Sequence, residues 1–461
     1  MVDAMPIQHT RAFRIRRVIN WFPLGLAYAF LYMGRYNLTV SKVALGDLMT
    51  KEMFGIIFAA GTITYAIAFL INGPLTDKIG GKRAMLIGLT GSAIMNAMMG
   101  IMTYGIRQSG WEVNLTLAFS IIYSVNMYFQ SYGAVAIVKV NASWFHVRER
   151  GVFGGIFGIL ISLGIYFAFD WGTMIVEATK VSPSTDINFI QSYLRSMTGA
   201  TTANVDQTWW VFFIPAMILA VMAIIEIFIL KDKPSGAGFE DFDTADASSG
   251  EEDKPFSVFD LIKKIVSNKI ILTIAFIEFC TGVLRNGIMH WYPIFAKEEL
   301  LLASDHYMRA NWGLFLMLAG VLGGLTAGFL SDKVFGSRRG PVAGLLYAGM
   351  FVGSLFMYFT LDADPIWLGM IVIFMSFCVI GTHGMLSGTS TMDFGGRKAA
   401  ATAVGLIDGF VYLGTGFQSI ALGYLTTANW GYWPPFLIPF TIIGFLLART
   451  IWKSMPKGKS K

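Results

Sequence analysis

The sequence predicts an all-α integral membrane protein in which twelve transmembrane helices form two pseudo-symmetric six-helix halves, with both termini cytoplasmic. Three observations support this prediction: long apolar stretches, basic residues in alternate loops, and an internal repeat. The chain of 461 residues is 55% hydrophobic and 14% charged, and it contains 38 Phe and 25 Met. One soluble core cannot bury so much apolar surface, so much of it is expected to face lipid.

Mostly apolar stretches recur along the chain, and each is long enough to cross a bilayer, which takes roughly 20 residues. Short polar segments separate them. The stretches lie near residues 18–46, 54–76, 83–105, 114–139, 151–171, 208–230, 269–296, 311–331, 341–360, 366–391, 399–427 and 431–453. They predict twelve transmembrane helices.

Basic residues follow an alternating pattern that sets the predicted orientation. The amino-terminal segment, every second loop and the carboxyl-terminal tail are rich in Lys and Arg, whereas the opposite loops hold few. Short loops rich in Lys and Arg stay cytoplasmic, so both termini are expected there. This asymmetry explains the net charge of +6 and argues against nucleic-acid binding. The first apolar stretch is too long for a cleavable signal peptide. We expect a multi-pass protein of a bacterial inner membrane.

Two polar insertions divide the chain. Residues 231–268 are acidic and poor in large apolar side chains, which predicts a cytoplasmic linker between an amino-terminal half, 1–230, and a carboxyl-terminal half, 269–461. A second insertion, 172–208, lies on the outer side and forms either a small cap or a flexible loop. The two cysteines, at positions 280 and 378, both fall inside predicted spans, so neither a disulfide nor a metal site is indicated. No cofactor is expected.

An internal repeat is visible in the loops. GPLTDKIGGKR follows the second span, and GFLSDKVFGSRRG follows the eighth with one inserted residue. Basic residues after the fourth span are echoed after the tenth. Most informative are Arg35 and Arg285, which lie near the middle of the first and seventh spans. An arginine at the bilayer centre costs roughly 2.5–3.5 kcal/mol and usually faces a bundle interior or a water-filled path. Two at matched places predict one anionic ligand.

GPLTDKIGGKR matches the loop signature of the major facilitator superfamily without a mismatch, and this resemblance implies the major facilitator fold. The segments YMGRYNLTVSKVAL, WFHVRERG, VLRNGIMHWYPIF, SDKVFGSRRG and RKAAATAVGLIDG resemble those of the organophosphate:phosphate antiporter family, whose members include glycerol-3-phosphate and hexose-phosphate transporters. The resemblance covers nearly the whole chain outside the linker and the outer insertion.

In that family one arginine from helix 1 and one from helix 7 bind the phosphoryl group, which implies this role for Arg35 and Arg285. A guanidinium is always charged and gives two parallel hydrogen bonds to phosphate. An alternative is internal pairing, because Glu278 lies two turns before Arg285 on the same helix face. The other candidate substrate-binding residues lie within predicted spans and have hydrogen-bonding side chains, and two of them share a helix face with Arg35. They are Tyr28, Tyr32, Tyr128, Gln130, His290 and His383. For each, packing is the alternative.

The resemblance also implies conformational-switch residues, whose charges make cytoplasmic contacts between helices and favour one conformation. They are Asp77, Arg83, Asp332, Arg338, Arg148 and Glu149. Lys139 is expected to make a structural or conformational contact of the same kind. Relative to the family's glycerol-3-phosphate members, Ala68 replaces a lysine, Ile161 a histidine and His290 an aspartate. These departures make glycerol 3-phosphate a poor expectation, and a bulkier sugar phosphate or an unrelated anion stays open.

No nucleotide-binding loop is recognisable, since GKRA lacks the Ser or Thr that follows a P-loop lysine. The sequence therefore predicts a secondary transporter and not an enzyme. Its expected activity is exchange of an organic phosphate for inorganic phosphate by alternating access, and we expect a monomer in the lipid bilayer. Two alternatives stay open: a proton-coupled symporter of another organic anion, with His290, His383 or Glu278 titrating, and a non-transporting hexose-phosphate sensor.

Overall fold

The computed structural model describes residues 9–146, 150–183, 186–244, 267–390 and 400–454. This part of the chain is helical and contains no strand. Its long helices are α1 Arg11–Leu45, α2 Lys51–Ile79, α3 Gly81–Gln108, α4 Leu115–Trp144, α5 Arg150–Tyr166, α6 Trp210–Ile229, α7 Lys269–Met289, α8 Trp312–Phe329, α9 Arg339–Phe359, α10 Pro365–His383, α11 Ala400–Ala428 and α12 Trp433–Thr450. We call the end of the bundle where α1 begins the inner end and the opposite end the outer end.

In the described ranges, nine helices with their continuations are long and apolar enough to cross a membrane. The three long helices outside this group are α1, α4 and α11. Each carries polar side chains at mid-length, among them Arg35, Gln130 and Tyr412. Polar residues lower the mean hydropathy of a helix that lines a bundle interior. The count of twelve membrane spans stays a prediction.

Helix packing repeats between α1–α6 and α7–α12. In the first set α1 packs against α4, α5 and α6, while α4 packs against α2 and α3, and α3 against α6. In the second set α7 packs in the same way against α10, α11 and α12, while α10 packs against α8 and α9, and α9 against α12. The two sets meet through α2 with α11 and α5 with α8. The sequence repeat thus has a counterpart in how the helices pack.

The repeated loop motif has a shared backbone feature. Gly80 ends α2 with φ 89°, and Gly336, its counterpart after α8, has φ 59°. Residues with a Cβ rarely adopt this left-handed region, and glycine adopts it at little cost. A glycine therefore turns the chain sharply after both helices, at the C-cap of α2 and just beyond the end of α8.

The outer insertion is more ordered than a flexible loop. The fifth span does not end at residue 171: a π-helical segment, Phe167–Trp171, leads into a further helix, Gly172–Ala178. Another helix, Phe189–Thr198, begins with a capping box between Asn188 and Gln191. That box satisfies two backbone N–H groups that would otherwise lack partners at the helix start. The described part of the insertion forms a small helical cap, one of the two predicted alternatives.

Candidate functional site

Arg35 lies fully buried at the middle of α1, among side chains from both sets of helices. Its guanidinium donates to the Tyr412 hydroxyl at 2.9 Å, the Tyr65 hydroxyl at 3.0 Å and Gln130 Oε1 at 3.3 Å. It also lies over the ring of Tyr32, 4.7 Å from the centroid, and over that of Tyr65 at 4.5 Å. Ring faces attract cations, by about 0.5–2 kcal/mol for each contact. The arginine is held mainly by aromatic and neutral polar groups.

Arg285 faces the same tyrosines from α7. Tyr32, Tyr36 and Tyr412 all act on its charge, and Tyr32 is within hydrogen-bonding reach. Its side chain is 8% exposed. We call Tyr32, Tyr36, Tyr65 and Tyr412 the tyrosine cage. Because Tyr32 and Tyr412 neighbour both guanidinium groups, the structure brings the two sequence-predicted arginines to one site between α1, α2, α7 and α11.

Neither arginine forms an ion pair with a carboxylate that the structure describes. The Nε atoms of both arginines and Nε2 of Gln130 are buried without a hydrogen-bond partner among the described residues. Leaving a charge buried without a counter-ion costs several kcal/mol, more than ring contacts return. Two desolvated cations with spare donors form a site that an anion would stabilise.

Buried hydrogen bonds fix the backbone on either side of Arg35. The Gly34 carbonyl accepts from Asn96 at 3.0 Å and from Asn126 at 3.1 Å, and the Arg35 carbonyl accepts from the Tyr123 hydroxyl at 3.1 Å. These donors come from α3 and α4. Since a helical carbonyl already accepts one intrahelical bond, such second bonds lock the rotation of α1 and the direction of its side chains.

Comparable bonds hold α7 near Arg285. Asn286 donates to Thr415 Oγ1 of α11 at 2.7 Å, and the indole of Trp433 donates to the Gly287 carbonyl at 2.8 Å. The indole of Trp312 donates to the Met289 carbonyl at 3.1 Å. The arginine is thereby presented from a rigid helix, as a ligand site requires.

The other predicted binding residues lie at different distances from the arginines. Gln130 contacts Arg35 directly, and Tyr28 packs edge-on against Tyr32 with ring centroids 5.3 Å apart. The ring of Tyr128 contacts Phe129 and Tyr132 of its own helix, and its hydroxyl lies 3.4 Å from that of Tyr132. Gln130 therefore belongs to the inner layer of the site, Tyr28 supports that layer, and Tyr128 lies outside it.

His290 lies on the outer side of the arginine site. Its Nδ1 is 2.7 Å from the Thr39 hydroxyl on α1, and its ring packs on Phe58 and Tyr36 at 4.5 and 4.8 Å between centroids. The other ring nitrogen, Nε2, is buried and has no partner among the residues described. The histidine links α7 to α1 and α2 and covers the arginine site from the outer end.

Glu278 pairs with His383, and not with Arg285. The Glu278 carboxylate is fully buried and lies 2.8 Å from His383 Nδ1 on α10. Asp408 lies near enough to both Glu278 and His383 to act on their charges, and it accepts from the Ser387 hydroxyl at 2.5 Å. The proposed internal pairing of Arg285 is therefore wrong for this conformation. The carboxylates instead form a cluster within α7, α10 and α11, which lies near enough to Arg285 to interact with its charge without forming an ion pair.

The predicted switch residues make contacts within each half. Asp77 binds Lys139 of α4 at 2.7 Å, in line with the contact expected for that lysine, while Arg83 is exposed. Asp332 binds Arg339 at 3.3 Å, whereas Arg338 donates to the Phe335 carbonyl. The cation that meets Asp332 is therefore the neighbour of the one expected, because α9 begins at Arg339 and turns that side chain toward α8. Arg148 and Glu149 lie outside the described residues.

Contacts between the two sets of helices close the outer end. Glu298, which continues α7, binds Lys42 of α1 at 2.7 Å and Lys51 of α2 at 3.7 Å. Asp170 accepts from the backbone of Gly313 at 2.6 Å and of Leu314 at 3.0 Å, which caps the start of α8. We call these contacts of Glu298 and Asp170 the outer gate. They predict that opening this end must break several charged hydrogen bonds at once.

Glu298→Gln should loosen the outer gate. It removes both ion pairs while keeping the side-chain shape, and loss of about 1 kcal/mol should raise the open population about fivefold. The measurement is the rate at which an impermeant maleimide labels Val43→Cys, in a background where both native cysteines are replaced by serine. Asp305→Asn, which neutralises an exposed carboxylate of the same outer loop, is the control. Equal labelling rates in the two variants would contradict the gate.

Sequence reasoning missed most of the tyrosine cage. Tyr36, Tyr65 and Tyr412 are not among the predicted substrate-binding residues, although Tyr36 directly follows Arg35. One available signal was a phenol at mid-span on several predicted helices. It is weak, because tyrosines are also common in packing and at membrane interfaces.

Comparison with known proteins identifies the class of protein that this fold and this site define. The model of the Major Facilitator Superfamily matches residues 24–419, so the chain belongs to that superfamily. It is a multi-pass membrane transporter and not an enzyme. The fold is similar to that of a D-xylose–proton symporter of known crystal structure, with a TM-score of 0.69 at 12% identity over 95% of this chain and 98% of the other.

Curated relatives confirm the narrower resemblance to the organophosphate:phosphate antiporter family. The chain is 24% identical to the glycerol-3-phosphate transporter of Bacillus subtilis, over 96% of this chain and 94% of the relative. It is also 24% identical to the "Probable hexose phosphate transport protein" of Chlamydia trachomatis, over 98% of this chain and 94% of the relative. Both relatives are bacterial, in agreement with the predicted inner-membrane localisation.

Proposed function

We propose that this protein exchanges an organic phosphate, such as a sugar phosphate, for inorganic phosphate. The observation that carries the proposal is the buried pair Arg35 and Arg285, which share the tyrosine cage and have no described carboxylate as counter-ion. A phosphate dianion matches two guanidinium groups in charge and in hydrogen-bond geometry. The named relatives, transporters of glycerol 3-phosphate and hexose phosphate, support this ligand class.

The site also contains groups suited to the rest of such a ligand. Gln130 Nε2 is a buried donor without a described partner, and the hydroxyls of Tyr65 and Tyr412 now accept the Arg35 bonds that phosphate oxygens would take. On binding, these hydroxyls are released and become available to sugar hydroxyls. Tyr28, His290 and His383 stay candidates around this inner layer, whereas Tyr128 is a candidate only if α4 moves.

Exchange, rather than one-way transport, follows from the charges. A carrier that resets without ligand must close around two guanidinium groups that form no ion pair, in surroundings of low dielectric constant. This closed, empty state is unfavourable. A bound phosphate lowers this barrier because it supplies the counter-charge. The loaded protein therefore reorients quickly in either direction, and the empty protein reorients slowly.

The proposed movement is rocking of residues 1–230 against residues 269–461, with the linker 231–268 joining them and a monomer as the working unit. The matched packing of α1–α6 and α7–α12 supports this division. Glu298 and Asp170 join the two sets at the outer end and are the contacts that must break. Asp77, Arg83, Asp332, Arg338, Arg148 and Glu149 are proposed to bias the movement from the inner end.

The direct test is phosphate counterflow in proteoliposomes. Purified protein is reconstituted into vesicles that are loaded with inorganic phosphate, and the uptake of labelled phosphate is measured. Unlabelled hexose phosphate, glycerol 3-phosphate or a neutral sugar is added outside as a competitor. We expect uptake that requires internal phosphate and that hexose phosphate inhibits most strongly. The neutral sugar should have no effect, since it offers the arginines no charge.

Two results would count against exchange. A folded protein that binds hexose phosphate without counterflow would act as a sensor. Uptake that proceeds equally well into vesicles without phosphate would show that the empty carrier resets, which the charge argument excludes.

A second candidate function is proton-coupled symport, and a specific observation favours it. Glu278 and His383 form a buried protonatable pair, and Glu278 lies two turns from Arg285 on α7. Glu278 Oε1 is buried without a partner in the part of the chain described. Intramembrane ionisable pairs of this kind often serve proton relays.

Replacing Glu278 with Gln separates the two functions. Under exchange, Glu278→Gln should retain phosphate counterflow within about twofold, because hydrogen bonding to His383 persists without the charge. Under symport, an inward pH gradient should drive wild-type uptake without internal phosphate, and Glu278→Gln should lose that component. Both assays use the same vesicles, with Glu112→Gln on an exposed outer loop as the matched control.

A further inference from the structure

A cavity of about 160 Å³ lies between the two sets of helices at the outer end, apart from the arginine site. Its walls come from α1, the continuation of α5, the continuation of α7, and the loop that leads into α8. Thr39 lines it, and the same threonine contacts His290. The cavity therefore lies on the outer side of the contact that covers the arginine site.

The cations of this cavity outnumber its carboxylates. Lys180, Lys297 and Arg309 line it together with Glu177 and Asp206. Lys180 binds Glu177 at 2.6 Å, and Asp206 accepts from the Val181 backbone. Lys297 and Arg309 form no ion pair with any carboxylate that the structure describes, and each donates to a backbone carbonyl instead. Two cations thus face the cavity with no carboxylate bound to them.

The two cations also act on each other. Arg309, Lys180 and Lys42 of the outer gate oppose the charge of Lys297, whereas Glu298 favours it. Burial lowers the pKa of the Arg309 guanidinium, and the carboxylate of Glu177 opposes that shift. Like charges held together in a partly desolvated space are unfavourable, and an anion between them relieves the repulsion.

Two buried hydroxyls line the same cavity without partners. The Tyr292 hydroxyl and the Ser304 hydroxyl are both unbonded among the residues described, and their residues are 0% and 7% exposed. A buried hydroxyl without a hydrogen bond is unfavourable by about 1–3 kcal/mol. Both can donate to an oxyanion, so the cavity combines spare charge with spare donors.

We propose that this cavity is a second anion-binding site, which takes a small oxyanion such as inorganic phosphate through Lys297, Arg309, Tyr292 and Ser304. It deepens the proposed exchange function, because an anion arriving from the outer side would stop here before the gate opens. Lys297 also donates to the Val43 carbonyl of α1, so a bound anion competes with one contact between the halves. The site loads the carrier from one side only.

The proposal predicts that substitutions in the cavity affect transport from the outer face and not from the inner face, which a transport assay can test. Right-side-out and inside-out membrane vesicles give the KM for phosphate at the outer and inner faces. We expect Lys297→Gln with Arg309→Gln to raise the outer KM about tenfold and leave the inner KM unchanged, since each removes a charged hydrogen bond to the anion. Tyr292→Phe, which removes a single hydroxyl, should act in the same direction more weakly. Arg107→Gln, in the last turn of α3 at the outer end, is the matched control.

Binding stoichiometry tests the site without transport. Equilibrium dialysis of purified protein with labelled inorganic phosphate should give two sites per chain, and one in the Arg35→Lys, Arg285→Lys double variant. The remaining site should disappear when Lys297 and Arg309 are also replaced by glutamine. One site in the wild type and none in the arginine variant would overturn the proposal, as would an equal rise of KM at both faces. A wild type that binds two phosphates without exchange refutes only the proposed function.

Discussion

Replacing Arg35 or Arg285 with lysine should lower the rate of phosphate exchange about 100-fold in a protein that still folds. Arg35 gives three hydrogen bonds from one planar group and contacts the faces of two rings, an arrangement that a lysine ammonium cannot reproduce. Loss of one charge-assisted bond of about 3 kcal/mol lowers the exchange rate about 100-fold. Charge is conserved in both variants, so the effect isolates the geometry of the guanidinium.

Initial rates of phosphate counterflow in proteoliposomes provide the measurement. Arg107→Lys is the control, because it makes the same substitution in the last turn of α3, at the outer end of the bundle. Thermal unfolding of the purified variants checks the fold, and the free energy of unfolding should fall modestly for Arg35→Lys, because the lysine keeps the buried charge but loses hydrogen bonds that the guanidinium donates. Exchange at wild-type rates in either lysine variant would remove that arginine from the binding site.

Gly55→Leu should stop transport, while the protein still binds its ligand from the outer side. Gly55 lies on α2 where it crosses α11, and a Cβ there would lie 2.3 Å from the Ser419 carbonyl oxygen and 3.2 Å from the Gly423 Cα. Both neighbours are backbone atoms, which cannot move aside as a side-chain end would. A larger residue therefore separates α2 from α11 and holds the outer end open.

In Gly55→Leu the rate of counterflow should fall about 100-fold. Closing the outer gate would overpack the contact between α2 and α11, which costs about 3 kcal/mol. Binding of labelled phosphate should persist. Gly324→Ala on α8 is the control, since a Cβ there meets nothing described within 4 Å. Loss of binding together with transport would indicate misfolding, and retained transport would show that α2 and α11 do not need this close contact.

The two variants affect different steps of one cycle. The arginine substitutions weaken the binding of phosphate, which makes reorientation favourable. Gly55→Leu instead blocks the closed state in which Glu298 binds Lys42. Combining them should give no further loss of exchange, because either step alone already limits it. A combined loss equal to the product of the two single effects would instead show that both substitutions act on the same step.

Sequence analysis located the arginines and the class of protein but not the partners. It placed Arg35 and Arg285 at matched depths, since a duplicated pattern of apolar spans and basic loops is written locally along the chain. It named Glu278 as a possible partner for Arg285 from helical spacing alone. The structure pairs Glu278 with His383 on α10, a residue 105 positions away, at 2.8 Å. The spacing of residues within one helix does not predict which side chains of other helices will contact it.

The same limit explains the loop at the inner end of α8. The motif predicted a cation near Asp332, and one is present, but it is Arg339 instead of Arg338. One residue of helix turns a side chain by about 100°, so the identity of a contacting residue depends on where the helix begins. A motif fixes the type of contact and not its exact register.

By itself, the sequence determined the membrane class, the repeated helical pattern, the superfamily, and the two arginines that define an anion site, because hydropathy, charge and duplication are properties of neighbouring residues. Only the tertiary structure decided which side chains surround those arginines and which contacts close the outer end. It also decided that a cavity lies next to Thr39, on the outer side of the arginine site. These depend on how long helices cross and rotate against one another. Packing sets that geometry over distances that no local pattern records.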